Sequence, residues 1–293
     1  MICFYHHDMD GKCAGAIVYK YYVIDRTNSE VLRREKSFNF YPIDYKDEFP
    51  LDIIQPEELV VIVDYMVPDT VTFDKLLGVT ENIVWIDHHK TAIDKYEDYK
   101  IEGLRVDGIA GCELTWKYFY PDLPTPKVVE LLGDYDVWTF KYGDNTRYLQ
   151  LGIQLCNTNP EDDNWVPWLD PDHDPDYLIA DGEIVQDYNI NYYKNQIESH
   201  GFITAFKAFP EYSVIACNIG LSGSSVFDSV EGDFDLKVPF YYDGSKWTVS
   251  LYTDKPWVDC SLIATHYGGG GHKNASGFTT TDLPFLERLK YKK

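Results

Sequence analysis

Ile83-Val84-Trp85-Ile86-Asp87-His88-His89 is the stretch whose reading decides the fold. Four apolar residues, β-branched or aromatic, stop abruptly at a carboxylate and two imidazoles. The pattern reads as a buried strand that delivers three polar side chains to its C-terminal end, where open α/β sheets place their sites. The chain has 8 histidines, and four of them stand in two adjacent pairs, here and at His6-His7. Both pairs are read as parts of one metal site.

Outward from this strand the chain reads as strands alternating with helices. Residues 1–5 (MICFY) predict a short strand, His6 to Gly11 a polar loop, and Cys13 to Val23 a helix, the first βα turn of an α/β sheet. Residues 25–37 are polar and predict a surface connection; Phe38 to Tyr41 follow as the next strand. Leu59 to Val63 is a wholly apolar run ending at Asp64, which fits a strand covered on both faces. Helices are expected over Asp69–Leu77, over Gly108–Phe119, and from Thr125-Pro126 to Gly133-Asp134-Tyr135-Asp136, proline being well placed in a first turn. Residues 157–176 are rich in Pro, Asp and Asn and predict a loop; Tyr177 to about His200 predicts a long helix. The last third changes to strands at 212–216, 237–242 and 246–251, the latter two joined across Asp243-Gly244-Ser245. It closes on Gly268-Gly269-Gly270-Gly271-His272-Lys273-Asn274. No internal repeat or low-complexity tract is visible.

The 293 residues are enough for one large domain or two ordinary ones, and a hydrophobic share of 44% allows a real core. The 6 cysteines show no Cys-x-x-Cys spacing, which excludes a zinc ribbon or disulfide framework and fits a reducing compartment. They are expected to be mostly buried. Met1 to Tyr5 is too short an apolar run for a secretory signal, and no stretch approaches a membrane span, so a cytoplasmic location and no membrane partner are expected. The formal net charge is −22. Residues 200–293 hold 9 basic and 10 acidic side chains, and residues 1–199 hold 17 and 38, so the acidity lies in the first two thirds. Such a surface repels long polyanions, and long duplex DNA is not an expected partner; a short anionic substrate suits it better.

Four segments end an apolar run in metal-type ligands: His6/Asp8/Asp10, Asp64, His88 and Asp134. In a parallel sheet the strand ends point one way, so these residues converge at one edge. Carboxylates with a minority of imidazoles suit Mn²⁺ or Mg²⁺ better than a thiolate-preferring zinc site. Many carboxylates in one place repel one another unless cations neutralise them, which predicts two divalent ions, and a phosphoester is the natural substrate of such a pair.

On these residues the sequence resembles the DHH phosphoesterase family. HHDMDG (6–11), VIVDY (61–65), IDHHK (86–90) and GDYDVW (133–138) are similar to its four motifs, and GGGGHKNASGF (268–278) to the glycine-rich hallmark of the associated DHHA1 domain. The resemblance implies an α/β fold with a parallel-sheet DHH catalytic domain (1–180), a helical linker (181–204) and a smaller α/β DHHA1 substrate-binding domain (205–293). It implies that His6, Asp8 and Asp64 hold one metal and that Asp10, Asp64, His88 and Asp134 hold the other, with Asp64 shared. Asp87 would stand behind the metals and orient a histidine; His89 would face the phosphate and stabilise or protonate the leaving oxygen. Two choices stay open. Some relatives place the first histidine farther ahead of the aspartates, so His7 competes with His6. Asp136 competes with Asp134, which the spacing to Trp138 favours.

Gly269, Gly270 and Gly271, with His272 and Asn274, are the expected substrate-binding residues. Consecutive glycines let the backbone approach a ligand and offer amides to an anion. Leu221 to Ser225 is a second polar loop of the same kind. Most of the 24 Tyr, 15 Phe and 7 Trp are read as core and interface residues, with no stacking residue singled out. The expected reaction is attack of a metal-bound hydroxide on a short oligonucleotide or a cyclic or linear dinucleotide, with Mn²⁺ ahead of Mg²⁺. A single-strand exonuclease, an inorganic pyrophosphatase and a non-catalytic nucleotide-binding protein are the alternatives. The sequence leaves a homodimer open.

Overall fold

The computed structural model describes residues 1–25, 37–220, 222–287 and 289–291. Most of the surface connection expected at 25–37 lies outside the described residues, as does Leu221 of the second polar loop. The chain divides into two compact units, Met1–Val185 and Gln186–Lys293.

The first unit is built on four parallel strands: β1 (Ile2–His6), β2 (Asn39–Ile43), β3 (Val60–Val63) and β4 (Ile83–Ile86), in the order β2-β1-β3-β4. Alternate residues of each strand feed different cores. Cys3, Tyr5, Val61, Val63, Val84 and Ile86 join one cluster, whereas Ile2, Phe4, Val60, Ile62, Ile83 and Trp85 join the other. Both faces are therefore buried, and a period-2 backbone made of continuous apolar residues has no other stable arrangement. The first cluster is filled by α1 (Met9–Tyr19) and, after α2 (Thr70–Val79) and α3 (Lys90–Lys95), by α4 (Gly111–Phe119) and α5 (Lys127–Asp136). The second takes Phe73 and Leu76 of α2 and Ala92 of α3. Beyond β4, backbone bridges tie Val84 to Glu102 and Asp87 to Arg105, fixing the end of β4.

Helix α1 starts earlier than the expected Cys13. Asp8 caps it, accepting from the Gly11 amide at 2.9 Å, so Asp10 lies in its first turn. Gly11 is required there, because a Cβ would meet the His6 carbonyl oxygen at 2.2 Å. Helix α5 ends at Asp136, within the expected stretch, and starts at Lys127 behind Pro126. After α6 (Asp144–Gly152), the acidic stretch expected to be all loop contains the short α7 (Trp165–Trp168), whose two tryptophans are buried. The long helix α8 spans Asp176–His200, and the division between the units falls inside it. Among the described residues no helix is long and apolar enough to cross a membrane. Five of the six free cysteines are buried and Cys156 is half-buried.

The second unit is a mixed seven-stranded sheet. Its strands are β5 (Phe202–Phe206), β6 (Phe209–Asn218), β7 (Leu236–Tyr242), β8 (Trp247–Tyr252), β9 (Gly270–Gly271), β10 (Ala275–Thr280) and β11 (Leu289–Lys290). The order is β11-β5-β6-β7-β8-β10-β9, with only β6 and β7 parallel. β7 and β8 form the expected hairpin, its turn closed by Asp243, whose carboxylate accepts from the Ser245 and Lys246 amides. Helix α9 (Cys260–His266) packs on this sheet through Cys260, Ile263 and Ala264.

Candidate metal centre

His6 ends β1, Asp64 follows β3 and Asp87 follows β4, so three strand ends deliver polar side chains to one edge. Three groups there bring their ligand atoms within 4.8 Å of one another: His6 with Asp8 and Asp64; Asp10 with His88 and Asp136; and Asp64 with His88 and His89. Asp64 belongs to two of them. One of its oxygens lies 3.2 Å from His88 Nε2 and the other 3.7 Å from His6 Nδ1. Its backbone is in the left-handed region at φ 54, which aspartate tolerates better than most residues and which turns the chain sharply off the strand.

Sequence left two choices open, and geometry separates both. His6, not His7, meets the aspartates: His6 Nδ1 is 2.8 Å from Asp8 Oδ2, whereas His7 is exposed. In the fourth segment Asp136 stands 3.4 Å from His88 Nε2, and Asp134, the expected ligand, is in none of the three groups. The reason is helical geometry. Two residues apart on one helix point about 200° apart, so α5 can offer only one of these carboxylates to the site. Asp134 faces away and is saturated by donors: the Thr139 and Thr146 hydroxyls, the Lys141 amide at 2.9 Å and the Tyr142 amide at 3.4 Å. Burial raises its pKa, but these donors outweigh burial and hold it below the usual carboxylate range.

The carboxylates of the site are placed differently. Burial, and only then neighbouring charge, pushes Asp64 up to about 8. Burial followed by Asp64 and Asp136 raises Asp10 well above its ordinary value, and Asp136 is raised chiefly by burial. Burial opposes protonation of His6, yet Asp64 and Asp8 overcome it and raise His6 to about 10. His6 Nδ1 and both Asp64 oxygens are buried without a hydrogen bond of acceptable geometry, close as His6 and Asp8 stand. Buried polar atoms are normally partnered. Orphaned imidazole nitrogen and carboxylate oxygens at a crowded anionic edge are the donor set that a divalent cation satisfies.

Around this centre the supports are well defined. Asp87 Oδ1 accepts from the His88 amide at 2.7 Å, the His89 amide at 3.2 Å and His89 Nδ1 at 2.7 Å. Burial lowers the His89 pKa, but the Asp87 contact outweighs it and the value is raised. Asp10 accepts from the Gly111 and Cys112 amides at 2.7 and 2.8 Å, which also satisfies the start of α4. Sequence reasoning passed over Gly111 and Tyr45. A Cβ on Gly111 would meet Asp64 Cβ at 2.7 Å and Asp10 Oδ2 at 2.9 Å, so only glycine lets α4 approach the site; a glycine opening an apolar helix was the visible signal. The Tyr45 hydroxyl is 3.4 Å from His89 Nε2 and its ring stacks on Tyr65, with no mark in the local sequence.

The glycine segment belongs to the second unit. Gly268 and Gly269 donate their amides to Thr265 and Ala264, closing α9, and Gly270–Gly271 pair with β10. Gly269 is obligatory, since a Cβ would meet the Gly277 carbonyl oxygen at 2.1 Å. The His272 amide is donated to Ala275 at 2.8 Å, while the His272 and Asn274 side chains are exposed. The run is thus a built hairpin, and the amides of Gly268, Gly269 and His272 have partners within it.

Comparison with solved structures agrees with this architecture. A pGpG-specific phosphodiesterase of Vibrio cholerae, PggH, superposes at a TM-score of 0.57 with 11% identity, over 96% of this chain and 93% of that one. The DHH domain of a member of the s1p family of ribosomal proteins also gives 0.57, at 15% identity, over 94% and 81%. The fold is that of the DHH-domain proteins. No family model matches the sequence. An uncharacterized protein of Acanthamoeba polyphaga mimivirus is 28% identical over 223 residues, 71% of this chain, and the chain spans about half (50%) of that relative's length. Within the DHH fold the clustered residues of this chain are those that its strand ends, the start of α1 and the end of α5 bring together.

Proposed function

We propose that the protein is a divalent-metal-dependent phosphodiesterase of short nucleotide esters, with short oligonucleotides and linear or cyclic dinucleotides as substrates. The observation that carries this reading is the adjacency of the His6–Asp8–Asp64 and Asp10–His88–Asp136 groups, joined through Asp64 and containing buried ligand atoms without partners. Mn²⁺ fits this oxygen-rich, histidine-poor donor set, with Mg²⁺ the alternative. The similarity to PggH, a pGpG-specific phosphodiesterase, supports a dinucleotide as the first substrate to test.

Two divalent ions held by these residues would neutralise the carboxylates, activate water and clamp the phosphoryl oxygens. The remaining steps belong to the chain. Asp87 holds His89 by Nδ1, which fixes the ring and leaves Nε2 to give a proton to the leaving oxygen. Burial opposes it, but the Asp87 carboxylate raises the His89 pKa and so favours the protonated ring. The Tyr45 hydroxyl, 3.4 Å from Nε2, is a hydrogen-bonding group of the chain beside that nitrogen. Asp10, anchored by the α4 amides, and Asp64, anchored by its backbone bond to Ile86, keep the ligands from following a departing product.

The test is hydrolysis with added Mn²⁺ across pApA, cyclic dinucleotides, short RNA and DNA, phosphoadenosine phosphate and pyrophosphate. Turnover of dinucleotides that a chelator abolishes is expected. Turnover of pyrophosphate alone, or tight salt-sensitive binding of long single strands with processive cleavage, would replace this reading with one of its rivals.

A further inference from the structure

We infer that Trp138 is the platform on which a nucleobase of the substrate stacks, an inference that rests on the nucleotide-ester reading above. Trp138 follows Asp136 by two residues, so its Cα lies within about 7 Å of that of a carboxylate in the metal-type cluster. Its indole is 65% exposed. Single exposed apolar side chains are common, so exposure alone assigns Trp138 nothing.

The backbone supplies a second, independent observation. Trp138 and Phe140 both adopt left-handed conformations, φ 58 and φ 50, without being glycine. For bulky residues this is an outlier that persists only where the surroundings over-determine it. The surroundings here are the Asp134 carboxylate and its four donors, which pin the 139–146 stretch from inside. Trp138 then sits edge-to-face with Tyr135, 5.3 Å away at 70°, and with Phe140, 4.7 Å away at 79°. The Arg147 guanidinium lies 4.8 Å from the Phe140 ring and holds that ring in turn. The result is an aromatic side chain that is fixed and still mostly exposed.

Trp257 shows the contrasting case. It is 63% exposed, but its indole nitrogen donates to Asp235 at 3.0 Å, Lys255 lies over its ring, and its φ is not left-handed. Trp138 has the strain and the neighbouring ligand cluster that Trp257 lacks. A flat, immobilised π-face two residues along the chain from a metal-type carboxylate is the chemistry that holds a base without reading its edge, because every nucleobase presents a π-face. Trp138 therefore contributes affinity for the nucleoside part of the substrate and none for the phosphate.

The experiment compares adenosine 5′-monophosphate with methyl phosphate, both with Mn²⁺ present, on the wild-type chain, Trp138→Gly and Trp138→Phe. The nucleotide is expected to quench a component of the tryptophan fluorescence that Trp138→Phe lacks, and methyl phosphate to leave it unchanged. Trp138→Gly should weaken nucleotide binding roughly tenfold, as loss of one stacked base does, without changing methyl phosphate binding; Trp138→Phe should recover most of it. Because glycine is at home at φ 58, the Trp138→Gly protein should melt no lower than wild type. Unchanged nucleotide affinity, an equal loss for methyl phosphate, or a lowered melting temperature would each overturn the inference, the last because it makes the indole a structural prop. Absence of phosphodiester hydrolysis by the wild-type chain counts against the proposed function alone, since the binding comparison needs no turnover.

Discussion

Asp134 and Asp64 are both buried to about 1% exposure, and their surroundings are opposite. Asp134 has four donors and a pKa held low; Asp64 has no hydrogen bond to its carboxylate and a pKa pushed up to about 8. Burial alone therefore does not distinguish a structural carboxylate from one kept for a ligand. The donor count does. A buried anion saturated by its own chain is part of the fold, and one left unsatisfied among other anions is waiting for a cation.

Removing Asp64 should separate the two kinds most sharply. Asp64→Asn keeps the left-handed backbone, which asparagine tolerates, and puts a neutral amide where the metal-free protein holds a carboxyl raised to about 8. Activity should fall roughly a thousandfold or more, the several kcal/mol that divalent ions supply in charge stabilisation, while the metal-free protein melts no lower than wild type. Steady-state rates beside thermal unfolding check both halves, and an active Asp64→Asn protein would sink the site assignment. Asp134→Ala should do the reverse. It strands two hydroxyls and two amides, and each buried donor left unsatisfied costs about 1–3 kcal/mol, so a loss of about 4 kcal/mol or more in stability is expected, in the range of the largest single-substitution effects. Asp136→Asn, two residues along the same helix, should lose activity and keep stability. If the Asp134 and Asp136 variants exchanged these phenotypes, the facing of α5 would be wrong.

That exchange is also where the sequence reading reached its limit. The parallel sheet, the buried strands and the strand-end residues His6, Asp64, Asp87 and His88 were legible because apolar runs ending in ligands report strand geometry directly. Helix phase was not. Asp134 and Asp136 differ by two positions, and choosing between them requires knowing where α5 ends and which face it buries. Taking HHDMDG as a loop had the same origin: Asp8 is a cap whose helix begins one residue later, and the apolar periodicity that marks a helix starts only at Cys13. Tyr45 acts through a contact made across elements, which leaves no local signature, whereas Gly111 was marked only by a glycine at the start of an apolar helix. The glycine run was legible as a close-packed backbone, since Gly269 has no room for a Cβ, but the partners its amides find in α9 depend on how the helix ends.

A middle-sized effect tests the comparison through protons. The folded-state pKa of Asp64, about 8, lies above the ~3.9 of an unfolded aspartate, so between these values the folded state holds the extra proton. Its contribution to metal-free stability is full below about pH 4 and is lost as pH rises towards 8. His6, raised to about 10, has the same sign over a higher window, from the unfolded ~6.5 upward. Asp134, lowered, has the opposite sign: its contribution is present above about pH 4 and is lost as pH falls through the folded value. The metal-free protein should thus lose melting temperature from about pH 5 to pH 8, and Asp64→Asn should flatten that slope. Mn²⁺ competes with these protons, so the stabilisation it brings should be larger at the higher pH, about 2.7 kcal/mol when the ion is at a hundred times its dissociation constant. A metal-induced shift independent of pH would show that the ion binds elsewhere.

The smallest expected effect concerns the third kind of buried carboxylate, one that is half satisfied. Asp87 Oδ1 takes three donors while Oδ2 is buried with none. Asp87 therefore stands between the saturated Asp134 and the unsatisfied Asp64, and its work is done through His89. The acid form of His89 is the active one in the proposed reaction, so the rate should fall as pH rises through its pKa. That limb is shifted upward from the ordinary histidine value because the Asp87 carboxylate favours the protonated ring. Asp87→Asn keeps a hydrogen-bond acceptor and removes the charge. The alkaline limb of kcat should then move to lower pH, with a loss near the optimum of only about tenfold to a hundredfold, the low end of what a positioned acid contributes. A fall at every pH with the limb unmoved would instead make Asp87 a support for the β4 terminus, the role Asp134 plays on α5.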